Sequence, residues 1–118
     1  MKKRVYIAGP ISVGDLADNI RRASEAFFKL LHAGFAPFCP HWSAYSGGPY
    51  NNPVPAILPN GTVHSDWLGA DLPWVSVADV VLRIAGASKG AEMEVECADT
   101  HKIPVYYNID ELIAKESQ

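Results

Sequence analysis

Hydrophobic residues along the chain change their spacing several times, and each spacing predicts a different element. The apolar run Arg4–Ala8 is short, rich in residues that favour strands and ended by a Gly-Pro pair, which is typical of a buried strand that enters a loop. After it, apolar residues recur every three or four positions, at Leu16, Ile20, Ala23, Phe27, Leu30 and Leu31. This spacing predicts a helix that begins at Leu16, with Asp15 as its N-cap and Gly34 just past its C-terminus.

A long segment without regular spacing follows a second predicted strand at residues 35–38. Six of the nine prolines fall between Pro37 and Pro59, among several glycines and asparagines, so residues 39–63 are predicted to form an irregular loop. Connections of this length without regular structure are unusual in a compact domain and are either functional lids or disordered. The aromatic residues of this segment favour an ordered loop.

The second half of the chain alternates between helical and strand-like patterns. Helices are predicted at 64–78, 88–101 and 110–115, and strands at 77–84 and 103–107. In the first of these helices the residues spaced to share one face are Trp67, Asp71, Trp74, Val75 and Ala78. Strands that are apolar on both faces belong to parallel sheets covered by helices on both sides. We therefore predict one α/β domain, residues 1–118, with a small doubly wound parallel sheet of about four strands, similar to Rossmann and flavodoxin folds.

Composition and charge narrow the range of partners. The chain carries 13 acidic and 10 basic residues, a net charge of −3, so it offers no basic stripe to nucleic acid or to an anionic membrane. A small molecule is the expected partner, and no cofactor is implied. Cys39 and Cys97 form no CxxC motif and the four histidines have no metal-ligand spacing, so no metal site is predicted. The basic N-terminus lacks a long apolar stretch, and a cytoplasmic protein is expected.

In open parallel sheets, ligands bind beyond the carboxyl ends of the strands. This rule selects three segments, which are residues 9–12, the loop that starts at Cys39, and residues 85–90. In the last segment, Ser88, Lys89 and Gly90 lead into a predicted helix. The free N–H groups there are suited to an anion such as a phosphate, or Ser88 is simply the N-cap of the helix.

Two carboxylates are candidates for chemistry. Glu94 falls on the small-residue stripe of its helix, which is expected to pack on the sheet. It either reaches solvent from the edge of that stripe or projects into the cleft as a nucleophile or general base. Asp71 lies among aromatic residues of its predicted helix, and is either a partly buried acid with a raised pKa or a surface or capping acid.

Three other side chains have simpler expected roles. Tyr6, inside the first predicted strand, is expected to be a core aromatic residue. Asn19 is either a solvated helix residue or a ligand contact. Asp79, at the start of the third predicted strand, is expected to make a structural hydrogen bond.

Four short segments carry a resemblance to a known family. They are residues 6–12 (YIAGPIS), 71–75 (DLPWV), 78–81 (ADVV) and 88–94 (SKGAEME). Together, and in this order, they resemble the nucleoside 2-deoxyribosyltransferase superfamily. The part from Asp71 to Glu94 is most similar to the 2′-deoxynucleoside 5′-phosphate N-hydrolases. The pattern also resembles a related bacterial and phage domain family whose activity is not settled.

The resemblance implies roles for the catalytic candidates. Glu94 is the expected nucleophile, which attacks the anomeric carbon of deoxyribose and expels the base. Asp71 is expected to assist through a proton or a sugar hydroxyl, and Tyr6 to orient Glu94 by a hydrogen bond. Such chemistry passes through an oxocarbenium-like transition state, which a nearby carboxylate stabilises, and a covalent intermediate divides the displacement into two steps.

The resemblance and the position of the segments also predict where substrate binds. The expected binding residues are Gly9, Pro10, Ser12, Asn19, His41, Trp42, Ser88, Lys89 and Gly90. Gly9 allows the backbone to approach the sugar, and Ser88 with Gly90 holds a 5′-phosphate. His41 and Trp42 belong to a loop that is suited to stack on and hydrogen-bond a base.

One departure from the hydrolase pattern concerns phosphate recognition. After the glycine of the first strand, the hydrolases have Ser-Ile-Arg, whereas this chain has Pro-Ile-Ser at residues 10–12. The phosphate-binding arginine is therefore absent. Either Lys89, Arg21 or Arg22 compensates, or the substrate is a free nucleoside.

The resemblance leads to an expected function with alternatives. The expected reaction is cleavage of the N-glycosidic bond of a 2′-deoxynucleoside or its 5′-monophosphate, by hydrolysis when water accepts the sugar and by transfer when a base does. The alternative is a nucleotide-binding module without turnover that uses the Ser88 to Gly90 anion site. A hydrolase of a ribosylated signalling nucleotide is a third possibility. A homodimer or larger homo-oligomer is expected, as in the family, because a small sheet leaves much apolar surface.

Overall fold

A computed structural model describes residues 1–11, 13–42 and 64–117 of the chain, and for 64–68 it describes the backbone only. Ser12, one of the expected binding residues, lies outside the described residues. So do residues 43–63 of the predicted loop and the side chain of Trp67.

The described residues form four parallel strands and four helices. The strands are β1 (Arg4–Ala8), β2 (Ala36–Phe38), β3 (Val80–Arg83) and β4 (Val105–Tyr106), and the helices are α1 (Leu16–His32), α2 (His64–Val75), α3 (Lys89–Thr100) and α4 (Ile109–Glu116). The strand order is β2-β1-β3-β4, with every pair parallel. This confirms the predicted α/β fold class, and β1 occupies an internal position with a neighbour on either side.

Each face of the sheet carries its own core, because successive side chains of a strand point to opposite faces. One cluster of buried residues comprises Val5, Ile7, Ala23, Leu30, Phe35, Cys39, Val80, Leu82 and Leu112. The other comprises Tyr6, Ala8, Val75, Val81, Ala91 and Ala98. Helices α1 and α4 therefore cover the first face, and α2 and α3 cover the second.

Helix α1 begins and ends at the predicted signals. The Asp15 carboxylate accepts a hydrogen bond of 3.2 Å from the Asp18 N–H, as an N-cap does. Beyond its C-terminus Gly34 adopts a φ of +96°, a left-handed conformation that favours glycine. Both cap predictions are confirmed.

The structure corrects the predicted junction between α2 and β3. The helix ends at Val75 rather than at residue 78, and the strand begins at Val80 rather than at 77. The Ser76 hydroxyl donates to the Pro73 carbonyl, and the Ala78 N–H donates to the Val75 carbonyl, so the chain turns here. The other predicted boundaries agree with the structure or differ by one or two residues.

Two predictions about individual residues near this turn have different outcomes. Asp79 accepts a 2.7 Å hydrogen bond from the Arg4 N–H, which confirms its structural role at the entry to β3. The predicted shared face of α2 is wrong for Trp74, because Val75 is fully buried while Trp74 is 57% exposed. Instead, the Trp74 ring stacks on Phe38 of β2, with ring centroids 5.7 Å apart.

No helix in the described part of the chain is long and apolar enough to cross a membrane.

Candidate functional site

Two loops meet tightly where β1 and β3 end. A Cβ atom added to Gly9 would lie 3.0 Å from the Cβ of Ile84, and one added to Gly86 would lie 2.7 Å from the Cγ of Pro10. Gly86 also has a φ of +127°, which side-chain-bearing residues rarely adopt. Glycine at both positions therefore allows the loop after β1 to pack directly on the loop after β3, at the carboxyl edge where this fold binds ligands.

Glu94 lies beneath this edge, on the face of the sheet covered by α2 and α3. Its side chain is 6% exposed, and it accepts a hydrogen bond from the hydroxyl of Tyr6 in β1. Tyr6 is itself buried, as predicted for a core aromatic residue, and its ring stacks on Phe38. Of the two interpretations of Glu94, the structure matches the carboxylate that faces inward and not the one that reaches solvent.

Burial shifts the ionisation of this pair. Removal from water raises the pKa of Glu94 to about 7, the hydrogen bond from Tyr6 opposes that rise, and nearby Asp71 adds to it. The pKa of Tyr6 is raised as well, first by burial and then by the negative charge of Glu94. The phenol therefore keeps its proton and acts as a hydrogen-bond donor to the carboxylate.

Asp71 is a second carboxylate, close enough to act electrostatically on Tyr6 and Glu94. It is half-buried in α2, and burial raises its pKa to about 6. Its charge acts on both Tyr6 and Glu94, so the three side chains share one electrostatic environment. The raised pKa agrees with the partly buried acid and not with the surface acid. Two carboxylates with raised pKa values that influence each other are a common arrangement for acid–base or nucleophilic chemistry.

The N-terminus of α3 lies at the same edge. The Ser88 hydroxyl accepts a 3.1 Å hydrogen bond from the Ala91 N–H, so Ser88 is the N-cap that the sequence allowed. A hydroxyl that caps a helix keeps its own proton to donate, and the N–H groups of the first turn lack helical partners. Lys89 is exposed and Gly90 is half-buried, and both lie in that first turn.

His41 is a buried imidazole without a hydrogen-bond partner among the described residues. It is 1% exposed, and neither ring nitrogen is in hydrogen-bond geometry with another described group. Its Nε2 atom lies 3.5 Å from where a Cβ of Gly9 would be. Burial lowers the pKa of His41 to about 4, although the carbonyls of Pro10 and Gly9, which are near the ring but outside hydrogen-bond geometry, favour the charged form. A buried polar side chain left unpaired is unusual and needs an explanation.

Asn19, one of the expected binding residues, has its side-chain amide hydrogen-bonded within the protein. The Asn19 amide donates to the Ile11 and Val13 carbonyls at 3.0 and 2.7 Å. Its oxygen accepts from Arg22, and the residue is buried, so the interpretation of Asn19 as a solvated residue is wrong. It supports the loop after β1 instead of presenting its amide to a ligand.

Trp42 packs against α1. Its ring centroid lies 4.5 Å from that of Phe27, and its indole N–H donates to Ser24 at 2.8 Å. The ring remains 37% exposed. Trp42 is therefore held against α1. Only the exposed part of its ring is available to stack on a base.

The sequence analysis missed Arg83, the last residue of β3. Its guanidinium donates to the carbonyls of Ile84 and Gly86, the latter at 2.9 Å. From α1, Arg22 donates to the Ala85 carbonyl at 3.1 Å. The sequence did contain a signal for Arg83, because it is a charged residue at the end of an otherwise apolar strand. Arg21, in contrast, pairs with Asp18 and Glu25 of its own helix.

Within the described residues, no three His, Cys, Asp or Glu side chains come together in a way that could hold a metal ion.

Comparison with known proteins identifies the fold. The chain is similar to a solved 2-deoxyribosyltransferase from the psychrotolerant bacterium Bacillus psychrosaccharolyticus, an enzyme described as a biocatalyst for the synthesis of antiviral and antitumoral nucleosides. The similarity covers 86% of this chain and 69% of that chain, with a TM-score of 0.57 and 18% sequence identity. The two proteins therefore share a fold. No family model matches the sequence, and no curated protein matches it either.

Replacing Glu94 by glutamine is expected to stabilise the protein at pH 8. The folded pKa of about 7 exceeds the ordinary 4.5, so the folded state holds this proton more tightly, and stability falls as pH rises through that window. Glutamine carries no charge and still accepts a hydrogen bond from Tyr6. We expect a gain on the order of 3 kcal/mol at pH 8 and almost none at pH 4, measured by urea unfolding. Glu96→Gln, at an exposed position of the same helix, is the control. If Glu94→Gln and the native protein are equally stable at both pH values, Glu94 is not a buried carboxylate with a raised pKa.

Proposed function

We propose that the protein belongs to the nucleoside 2-deoxyribosyltransferase superfamily and cleaves the N-glycosidic bond of a 2′-deoxynucleoside or its 5′-monophosphate. The observation that carries this proposal is the buried Glu94 carboxylate, held by Tyr6 below the carboxyl edge of the sheet. The shared fold with a 2-deoxyribosyltransferase supports it. So does the order of the sequence motifs that contain Tyr6, Asp71 and Glu94.

In the proposed reaction, a carboxylate oxygen of Glu94 attacks the anomeric carbon of the sugar. The C–N bond breaks, its electron pair leaves with the base, and a glycosyl ester of Glu94 forms. Water or a second base then attacks the same carbon, and Glu94 departs as a carboxylate. The first acceptor gives hydrolysis and the second gives transfer. A buried carboxylate favours this step, because it is poorly solvated and close to the positive charge that develops on the sugar.

Tyr6 and Asp71 serve different purposes in this proposal. The Tyr6 hydroxyl holds one oxygen of Glu94 and leaves the other free to attack. Asp71, with a pKa of about 6, is partly protonated near neutral pH and supplies the proton that the departing base takes up. Because the two carboxyl groups influence each other, their apparent pKa values belong to the pair.

Binding of the rest of the substrate is proposed at the two neighbouring loops. The capped N-terminus of α3, at Ser88 and Gly90, is suited to a 5′-phosphate. The backbone at Gly9 is proposed to approach the sugar. His41 lies beside Gly9 with both ring nitrogens unpaired among the described residues, and a neutral imidazole offers one donor and one acceptor to a substrate.

The proposed activity is tested by chromatography after incubation of the protein with deoxynucleosides, ribonucleosides and their 5′-monophosphates, with and without a free base. We expect base release from at least one deoxy substrate. Glu94→Ala is expected to lower the rate at least about 1,000-fold, as loss of a nucleophile does, while Glu96→Ala retains it. The preferred substrate decides whether the phosphate is recognised. No release from any substrate, with ligand binding unchanged in Glu94→Ala, would favour the alternative of a binding module without turnover.

The pH dependence of kcat/KM is expected to be bell-shaped. The active form has Glu94 ionised and Asp71 protonated, and because the pKa of Asp71 is the lower of the two, only a minority of molecules carry it. The rate is therefore highest between about pH 6 and 7, falls at lower pH as Glu94 becomes protonated, and falls at higher pH as Asp71 loses the proton that it donates. Asp71→Asn is expected to remove the alkaline limb. A plateau at alkaline pH in the native enzyme would assign Asp71 to a sugar hydroxyl instead, and a rate that does not change on the acid side would exclude Glu94 as the nucleophile.

We propose in addition that two or more copies of the chain assemble. Beside the edge strand β2, the exposed apolar side chains of Phe38, Trp74 and Val77 line a groove of about 160 Å³. Exposed apolar patches of this kind are typical of association surfaces.

Light scattering of the native protein is expected to give the mass of a dimer or larger oligomer, and Trp74→Glu is expected to give a smaller particle, because a charge would be buried in the interface. Tyr107→Glu, an exposed position after β4, is the control and is expected to keep the native mass. A monomeric native protein would contradict the proposal.

A further inference from the structure

Arg83 connects two parts of the site, the face of the sheet on which Glu94 lies and the loop that leads into α3. It lies opposite Ala8 in the parallel register of β1 and β3, and its position follows the alternation that places Tyr6 and Val81 on the face covered by α2 and α3. The side chain therefore starts on the same face as Glu94. It then turns back along its own loop, where it meets the carbonyls that precede α3.

Two arginines donate hydrogen bonds to three consecutive carbonyl groups of the loop between β3 and α3. Arg83 donates to the carbonyls of Ile84 and Gly86, and Arg22 donates to the carbonyl of Ala85. A guanidinium is rigid and forked, so one side chain can hold two carbonyls at a set separation. The same loop must keep Gly86 against Pro10. Displacing it would move the start of α3, and with it the helix that carries Glu94.

We propose that Arg83 is a positioning residue of the proposed glycosyl-transfer site, which braces the loop that leads into α3 and places a positive charge within electrostatic reach of the Glu94 carboxylate. The inference rests on the proposed function for its catalytic meaning, but the influence of Arg83 on the Glu94 carboxyl group is measurable without turnover.

The charge of Arg83 opposes the other influences on Glu94. Burial and the negative charge of Asp71 raise the pKa of Glu94, whereas the Tyr6 hydroxyl and Arg83 lower it. Tyr6 belongs to β1, Asp71 to α2 and Arg83 to β3, three of the elements that pack on α3. Arg83 thereby increases the fraction of the protein in which Glu94 is ionised near neutral pH, which is the form that a nucleophile requires.

The first test follows the Glu94 carboxyl group directly, by NMR titration of protein labelled with ¹³C-glutamate, with Glu94→Gln to assign the signal. Arg83→Met is expected to raise the pKa of Glu94 by about half a unit or more, because a nearby opposite charge is lost. Arg83→Lys keeps the charge and is expected to stay close to the native value. Arg4→Met is the matched control, since it removes the same charge at the opposite end of the sheet, where Arg4 pairs with Asp79.

The second test uses turnover. Arg83→Met is expected to lower kcat/KM at acid pH, because less Glu94 is ionised there, and to raise KM several-fold, and Arg83→Lys is expected to restore the rate at acid pH but not KM. Lysine restores the charge but lacks the fork that holds two carbonyls. If Arg83→Met does not fold, Arg83→Gln takes its place, because it removes the charge and keeps an N–H donor.

Three results would overturn the proposal: a Glu94 pKa unchanged in both Arg83→Met and Arg83→Gln, an equal shift in Arg83→Lys and Arg83→Met, or an equal shift in Arg4→Met. Failure of the proposed function is distinguishable from these results. In that case the native protein releases no base, while the NMR titration still shows whether Arg83 affects the pKa of Glu94.

Discussion

The hydrogen bond between the Tyr6 hydroxyl and the Glu94 carboxylate is the interaction on which the site depends. It connects an internal strand of the sheet to α3, within a face that otherwise buries small apolar residues. An ionised carboxylate in such a place is unfavourable unless a donor compensates for lost water. One buried hydroxyl compensates in part, so Glu94 keeps a pKa of about 7 and changes charge near neutral pH. In the proposed reaction, the incomplete compensation that weakens the fold also leaves Glu94 poorly solvated, which favours its attack on the sugar.

The surroundings of this pair restrict how it moves. The Tyr6 ring stacks on Phe38, and Phe38 stacks on Trp74, with both pairs of ring centroids 5.7 Å apart. This stack runs from buried Tyr6 to exposed Trp74 and restricts rotation of the phenol. At the carboxyl edge of the sheet, the loops after β1 and β3 pack on each other through glycine, and Arg83 donates to two carbonyls of the second loop. These contacts restrict the elements that carry Tyr6 and Glu94, which favours a single geometry.

Local pattern was sufficient for much of the fold and for part of the site. The apolar run of β1, the spacing of α1 and the caps at Asp15 and Ser88 each depend on side chains a few residues apart. A carboxylate on a small-residue stripe identified Glu94 as unusual. The same reasoning described Asn19 as a choice between solvent and ligand, although it is buried and supports the loop after β1. The length of β3 was overestimated, because apolar residues in a turn look like those in a strand.

By itself, the sequence determined the class of fold, the order of its elements and the residue types available for chemistry. Only the tertiary structure decided which of them meet. Tyr6 and Glu94 are 88 positions apart, and they pair because the strand order places β1 beside β3 and α3 packs across both. The burial of the His41 imidazole and the two carbonyls held by Arg83 follow from the same packing. Burial, hydrogen-bond partners and pKa values depend on contacts between distant segments, and no local pattern encodes them.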